Sequence, residues 1–190
     1  DSSPSMLYQS DLAPVSKQSR ALVLALALAE VLSRSGERVG WPGITRALSA
    51  RNIAERIATE LAASSADIDQ NWPSVEQINR RSELVVISDF LEPVEDVTRQ
   101  IDNAARRGIH GTLIHVIDPI EETFPYSGRV EFIEPEGGGS ITAGRAETWK
   151  GEYDTRVARH RAEIRAETDR LGWSFTIHRT DRPATELLLA

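Results

Sequence analysis

Leu84-Val85-Val86-Ile87-Ser88-Asp89 is an apolar run that ends in an acid. Apolar runs without polar alternation mark strands covered on both faces. The pattern predicts a buried strand over 84–88 with Asp89 at its carboxyl end. A second such run, Thr112 to Ile117, ends in Asp118-Pro119. Between them Pro93 opens a helix with Val94, Val97, Ile101 and Ala105 on one face, and Gly108 closes it. Strands alternating with helices imply a mostly parallel, doubly wound α/β sheet with helices on both faces. In such sheets ligands bind beyond the carboxyl ends of the strands, where Asp89 and Asp118 stand.

The flanking sequence extends this alternation. Residues 17–35 read as a helix that is apolar nearly all round, through Leu22, Val23, Leu24, Leu26, Leu28, Val31 and Leu32, so it is expected to be buried on most faces. Gly36 stops it. Glu37 to Gly40 and Ile44 to Leu48 read as short strands around a Trp41-Pro42-Gly43 turn. Arg51 to Ala63 is a helix with Ile53, Ile57 and Leu61 on one stripe. Ser64 to Pro73 is a polar loop, and Ser74 to Gln77 fits a capping box. Arg129 to Ile133 and Ser140 to Thr142 alternate around Pro135 to Gly139, which predicts a β-hairpin insertion over 129–143. A charged helix over Arg145 to Leu171, a strand over Trp173 to His178 and a short helix from Pro183 complete the chain.

The 190 residues suffice for one domain. A formal net charge of −7 argues against nonspecific nucleic-acid binding and against docking on anionic lipid. The absence of cysteine excludes disulfides, thiolate metal sites and cysteine nucleophiles, and fits a cytoplasmic, reducing compartment. The longest apolar run, Ala21 to Ala29, is about half of the roughly 20 residues a membrane span needs. No signal-peptide pattern is read in these residues. The chain opens at Asp1, already inside a motif, so a first strand is expected upstream, and an upstream membrane anchor stays open.

That motif is Asp1-Ser2-Ser3-Pro4-Ser5-Met6, an Asp-x-Ser-x-Ser followed by Met. Oxygens at alternate positions converge when the chain curls off a strand end. A carboxylate and two hydroxyls suit a hard cation such as Mg²⁺ or Mn²⁺, with Asp89 as a second carboxylate. Neutral hydroxyls leave the ion under-neutralised, so it would favour a carboxylate offered by a partner. The plain alternative is that these residues only cap helices and form loops.

Asp1 to Met6, the helix Ala21 to Leu32, Gly36-Glu37-Arg38-Val39-Gly40 and Leu84 to Phe90 stand in the order of a von Willebrand A domain, which the chain resembles. Ser88-Asp89-Phe90-Leu91-Glu92-Pro93, Asp118-Pro119 with Glu121-Glu122-Thr123, Pro135 to Gly139 and Gly172 to Pro183 are similar to one bacterial branch: the MoxR-associated domain-of-unknown-function family fifty-eight. The resemblance implies a metal-ion-dependent adhesion site at Asp1, Ser3, Ser5 and Asp89. It also implies a non-enzymatic role beside a MoxR-type AAA+ ATPase in assembly or maturation of client proteins, the client offering an acidic residue. Such a site also uses a Thr before the second helix. Here Thr45 falls inside a predicted strand, and Ser49 is better placed but suits a helix cap.

Asp118 could hold a water beside the metal or simply start the Asp-Pro turn. His110, His115, His160 and His178 show no metal-ligand spacing. The mixed charges of the long helix, among them Arg156, Arg159, Arg161, Glu152 and Glu163, fit a solvated face or a docking surface. The four tryptophans read as packing residues. Gly137 to Gly139 lacks the Lys-Ser/Thr of a phosphate loop. Two further functions compete with the binding module. One is a metal-free scaffold. The other is a Mg²⁺-dependent phosphoryl-transfer enzyme, which lacks a second Asp beside Asp1.

Overall fold

A computed structural model describes residues 1–64, 72–135 and 137–189. The elements in order are α1 (Lys17–Arg34), β1 (Val39–Trp41), β2 (Thr45–Leu48), α2 (Ile53–Ala63), β3 (Glu83–Ser88), α3 (Val94–Arg106), β4 (His110–Ile117), α4 (Pro119–Thr123), β5 (Val130–Ile133), β6 (Ser140–Ala143), α5 (Lys150–Arg170), β7 (Ser174–Arg179) and α6 (Ala184–Leu188). Short 3-10 turns over Pro4–Leu7, Val75–Gln77 and Ala146–Trp149 join them. Residues 65–71 of the polar loop expected over Ser64 to Pro73, and residue 136 of the hairpin tip, lie outside the described residues.

β3, β4 and β7 form a parallel sheet in the order β3-β4-β7. Leu84 pairs with Gly111 and Ser88 with His115, while Thr112 pairs with Ser174 and Ile117 with Arg179. Successive side chains alternate between the two faces. On one face Val86, Leu113 and Phe175 meet Val97, Ile101 and Ala104 of α3 and Ile164 of α5. On the other Ile87, Ile114 and Val116 meet Ala21 and Leu24 of α1, with Met6 between. A third cluster joins Ala29 of α1 to Ile53 and Ile57 of α2 beneath the antiparallel β1–β2 hairpin. The result is a mixed α/β arrangement with helices on both faces of a parallel sheet. The hairpin of β5 and β6 is a separate two-stranded sheet, in the place expected for an insertion.

Several local expectations are corrected. α1 is not buried on most faces: Lys17, Ala21, Leu24, Ala29 and Ser33 are buried, whereas Val23 and Val31 are each half exposed. A helix lying on one side of a sheet buries one stripe whatever the composition of the other. Trp41 belongs to β1 rather than to a turn, and Ile44 precedes β2. Ser74 starts a 3-10 turn without a side-chain cap bond, so the capping box is not made. In α3 the buried position is Ala104, not Ala105. Pro183 stands at the N-cap of α6 rather than inside it.

β4 depends on a glycine. A Cβ added to Gly111 would lie 2.5 Å from both the Leu84 carbonyl oxygen and the Trp173 ring. Backbone cannot yield there without breaking the β3–β4 ladder. Gly111→Ala is expected to destabilise the fold by about 1–3 kcal/mol. Gly151→Ala, where no atom lies within 4 Å, should leave stability unchanged or raise it. Urea unfolding of the two variants checks the contrast.

Candidate functional site

The first residues fold onto the carboxyl end of β3. Asp1 N donates to the Ile87 carbonyl at 3.2 Å, and the chain then turns through the 3-10 segment Pro4–Leu7. The Asp1 carboxylate accepts from Ser3 N at 2.8 Å and from Ser88 Oγ at 2.5 Å. The Ser3 and Ser5 hydroxyls, both buried, lie 3.0 Å apart in one hydrogen bond. Ser3 stands at the N-cap yet makes no side-chain cap bond. Its hydroxyl is turned toward Ser5, which local capping does not explain.

Ser88 joins this turn to the next. While its hydroxyl donates to Asp1, it accepts from Phe90 N at 3.0 Å. Phe90, fully buried, takes a left-handed backbone with φ 45°. For a bulky residue that conformation costs about 1–3 kcal/mol and persists only where its surroundings hold it. Here the Phe90 carbonyl accepts from His160 Nε2 at 2.7 Å, and its ring packs edge-on to His115. Asp89, on the strand side of that kink, is buried.

Asp89 is not free. Lys17 Nζ donates to Asp89 Oδ2 at 2.8 Å and to Glu121 Oε1 at 2.7 Å, and Lys17 is 1% exposed. Burial alone would draw the lysine below its ordinary range, but Glu121 and then Asp89 outweigh it and hold the ammonium protonated. Glu121 is placed by Asp118. The Asp118 carboxylate accepts from Ile120 N, Ser10 N and Ser10 Oγ, while Asp118 N donates to Glu121 Oε2 at 2.8 Å. This is a complete capping box for α4. The expected Asp-Pro turn is therefore a capped helix, and Asp118 spends its oxygens on the fold.

Asp1, Ser3, Ser5 and Asp89 are thus brought to one end of the sheet, linked through Ser88. Thr45 and Ser49 are not drawn into their hydrogen bonds. Thr45 Oγ1 accepts from Trp41 N within the β1–β2 hairpin, and Ser49 is exposed on the loop before α2. The oxygen donors suit Mg²⁺ or Mn²⁺ by type. Their arrangement does not fit a divalent ion. Both Asp1 oxygens accept hydrogen bonds, the serine hydroxyls bond each other, and Asp89 holds an ammonium. At an effective dielectric of about 20, a dication about 5 Å from a lysine ammonium meets a repulsion on the order of 7 kcal/mol. Among the described residues no group of three or more His, Cys, Asp or Glu converges on a metal position.

Sequence reasoning missed Lys17, Ser88, Glu121 and the role of Ser10. Two signals were available. A lysine at the first position of a helix opposes the helix dipole, so Lys17 needed a partner elsewhere. Asp118-Pro119-Ile120-Glu121 has the spacing of a capping box.

Beside the cluster lies an open cavity of about 710 Å³, whose wall includes Asp89, His115, Glu121, Tyr153, His160 and Arg161. Its volume is in the range of ligand clefts. Burial pushes the Tyr153 hydroxyl up to about 12, with the Glu121 charge adding to it. The hydroxyl donates to the Glu121 carbonyl at 2.6 Å. Burial likewise holds His115 down to about 3, with repulsion from Arg161, Lys17 and His160 adding to it. His115 Nδ1 is buried without a partner.

The folded His115 stays neutral while the unfolded one protonates near 6.5. Its contribution to stability is complete above 6.5 and is lost as pH falls toward about 3. In that window one proton changes stability by up to about 1.4 kcal/mol per pH unit. His115→Phe, which keeps the contacts with Phe90 and Phe175, is expected to flatten the acid limb of a denaturant-stability profile by up to that slope.

No curated protein matches the chain. Among solved structures it is similar to one titled a conserved hypothetical protein BatB from Bacteroides thetaiotaomicron, at 16% identity over 98% of this chain and 90% of that one, with a TM-score of 0.48. The family described as Protein of unknown function DUF58 matches residues 1–163. Spanning most of the sequence and the whole strand-end cluster, that match places the chain in the DUF58 family.

Proposed function

We propose that this chain is a von Willebrand A-like, doubly wound binding module that captures a partner protein at the carboxyl end of its parallel sheet. It acts without catalysis, beside a MoxR-type AAA+ ATPase, in the assembly or maturation of client proteins. The Asp-x-Ser-x-Ser resemblance supports the location, and a client carboxylate is the chemistry that resemblance implies.

One observation carries the reading. The turn from Asp1 to Tyr8 is pinned to β3 by Ser88 and to the start of α1 by the bond from Lys17 N to the Tyr8 carbonyl. It carries Leu7, 60% exposed, and leads to Leu12, 53% exposed. The loop after Asp89 leaves the same end of the sheet with Leu91 62% exposed. Large apolar side chains held on anchored loops around a polar cluster have the make-up of a contact surface, apolar groups giving area and polar groups orientation.

Phosphoryl transfer draws less support. The hydrogen bonds that both oxygens of Asp1 accept, from Ser3 N and Ser88 Oγ, lower the nucleophilicity of that carboxylate.

Leu7→Ser with Leu91→Ser removes exposed apolar area without touching the core. Interferometry against the MoxR-type ATPase of the same genome, and against client proteins recovered with it, is expected to show at least a tenfold loss of affinity. The melting temperature should stay close to the parent's, since exposed substitutions change stability by about 0.5 kcal/mol or less. Unchanged affinity in the double variant would remove the binding site from this edge and favour the scaffold reading.

A further inference from the structure

The cluster at the strand ends has the oxygens of a cation site and already contains a cation. We propose that Lys17 is its resident cation: the ammonium takes the charge-balancing role of a divalent ion, so the site assembles and stays assembled without metal.

Placement is the first argument. Lys17 begins α1, where the helix dipole disfavours a positive charge. Its partners, Asp89 and Glu121, are 72 and 104 residues away in sequence. Burying an ammonium to 1% exposure is costly unless carboxylates receive it. Here two do, at 2.8 and 2.7 Å. The Tyr8 ring faces the same nitrogen at 5.8 Å.

Charge is the second argument. Asp89 and Glu121 carry two negative charges and Lys17 returns one. A divalent ion added beside the ammonium would have to share Asp89 with it. Without the ammonium, the same two carboxylates would face each other across a buried space and become a site for a divalent ion. Lysine and metal are therefore alternatives at one position, and this sequence has taken the lysine.

The inference concerns the free chain and does not depend on the partner-binding reading, so either can fail alone. The test compares the parent chain with Lys17→Met and Lys17→Arg, by thermal unfolding in millimolar Mn²⁺, Mg²⁺ or EDTA and by Mn²⁺ titration followed by electron paramagnetic resonance. The parent and Lys17→Arg should show no melting shift between metal and EDTA, and no Mn²⁺ uptake at millimolar concentration. Lys17→Met should melt lower in EDTA, recover by several degrees in Mn²⁺ and take up about one equivalent. Adding Glu121→Gln to Lys17→Met should weaken that uptake at least tenfold. Where Lys17→Met folds only in Mn²⁺, the metal has replaced the lysine and the proposal stands. Where it folds in neither buffer, the parent decides: absence of Mn²⁺ uptake supports the lysine, and uptake overturns it. Metal uptake by the parent comparable to that of Lys17→Met, or a folded Lys17→Met indifferent to metal, also overturns it.

Discussion

One buried ammonium connects the elements that make the strand-end site. Lys17 reaches from the first turn of α1 to Asp89 at the end of β3 and to Glu121 in α4, and its backbone N–H holds the Tyr8 carbonyl. Removing one partner of such a buried pair leaves an uncompensated charge and costs about 3–5 kcal/mol. The constraint therefore fixes the position of α1 against the sheet at its amino end, while Ala21 and Leu24 fix it by packing one and two turns later. Polar and apolar contacts point the same helix in the same direction.

The rest of the site is arranged around that point. Asp118 ties the loop at Ser10 to the start of α4, and the capping box there presents Glu121 to the lysine. Ser88 passes hydrogen bonds from the strained Phe90 turn to Asp1. His160 secures the Phe90 carbonyl from α5, so the long charged helix contributes to the site from the far side of the sheet. Buried polar networks are stabilising when every member is satisfied and costly otherwise. His115 Nδ1 and Arg161 Nε, buried without partners in the wall of the neighbouring cavity, take no part in the cluster's hydrogen bonds.

Much of the fold was legible because hydrophobic periodicity and stop residues act locally. The apolar runs ending in Asp89 and Asp118 are the parallel strands β3 and β4, and the hairpin over β5 and β6 falls where alternation placed it. Where composition replaced periodicity the reading erred. α1 is apolar on nearly every face, yet its position against the sheet buries one stripe and leaves Val23 and Val31 half exposed. A turn at Asp118-Pro119 leaves out Glu121, the residue three positions on whose side chain completes the capping box with Asp118.

The sequence by itself determined the alternation of strand and helix, the strand-end position of Asp89 and the oxygen-rich turn from Asp1 to Ser5. Each rests on neighbours within a few residues, which chain chemistry alone can set. Tertiary structure decided what those oxygens face. Lys17 lies 72 residues before Asp89 and 104 before Glu121. No periodicity spans that separation. Only the docking of α1 against the sheet brings the ammonium to the carboxylates, and only burial there makes their charges matter to one another.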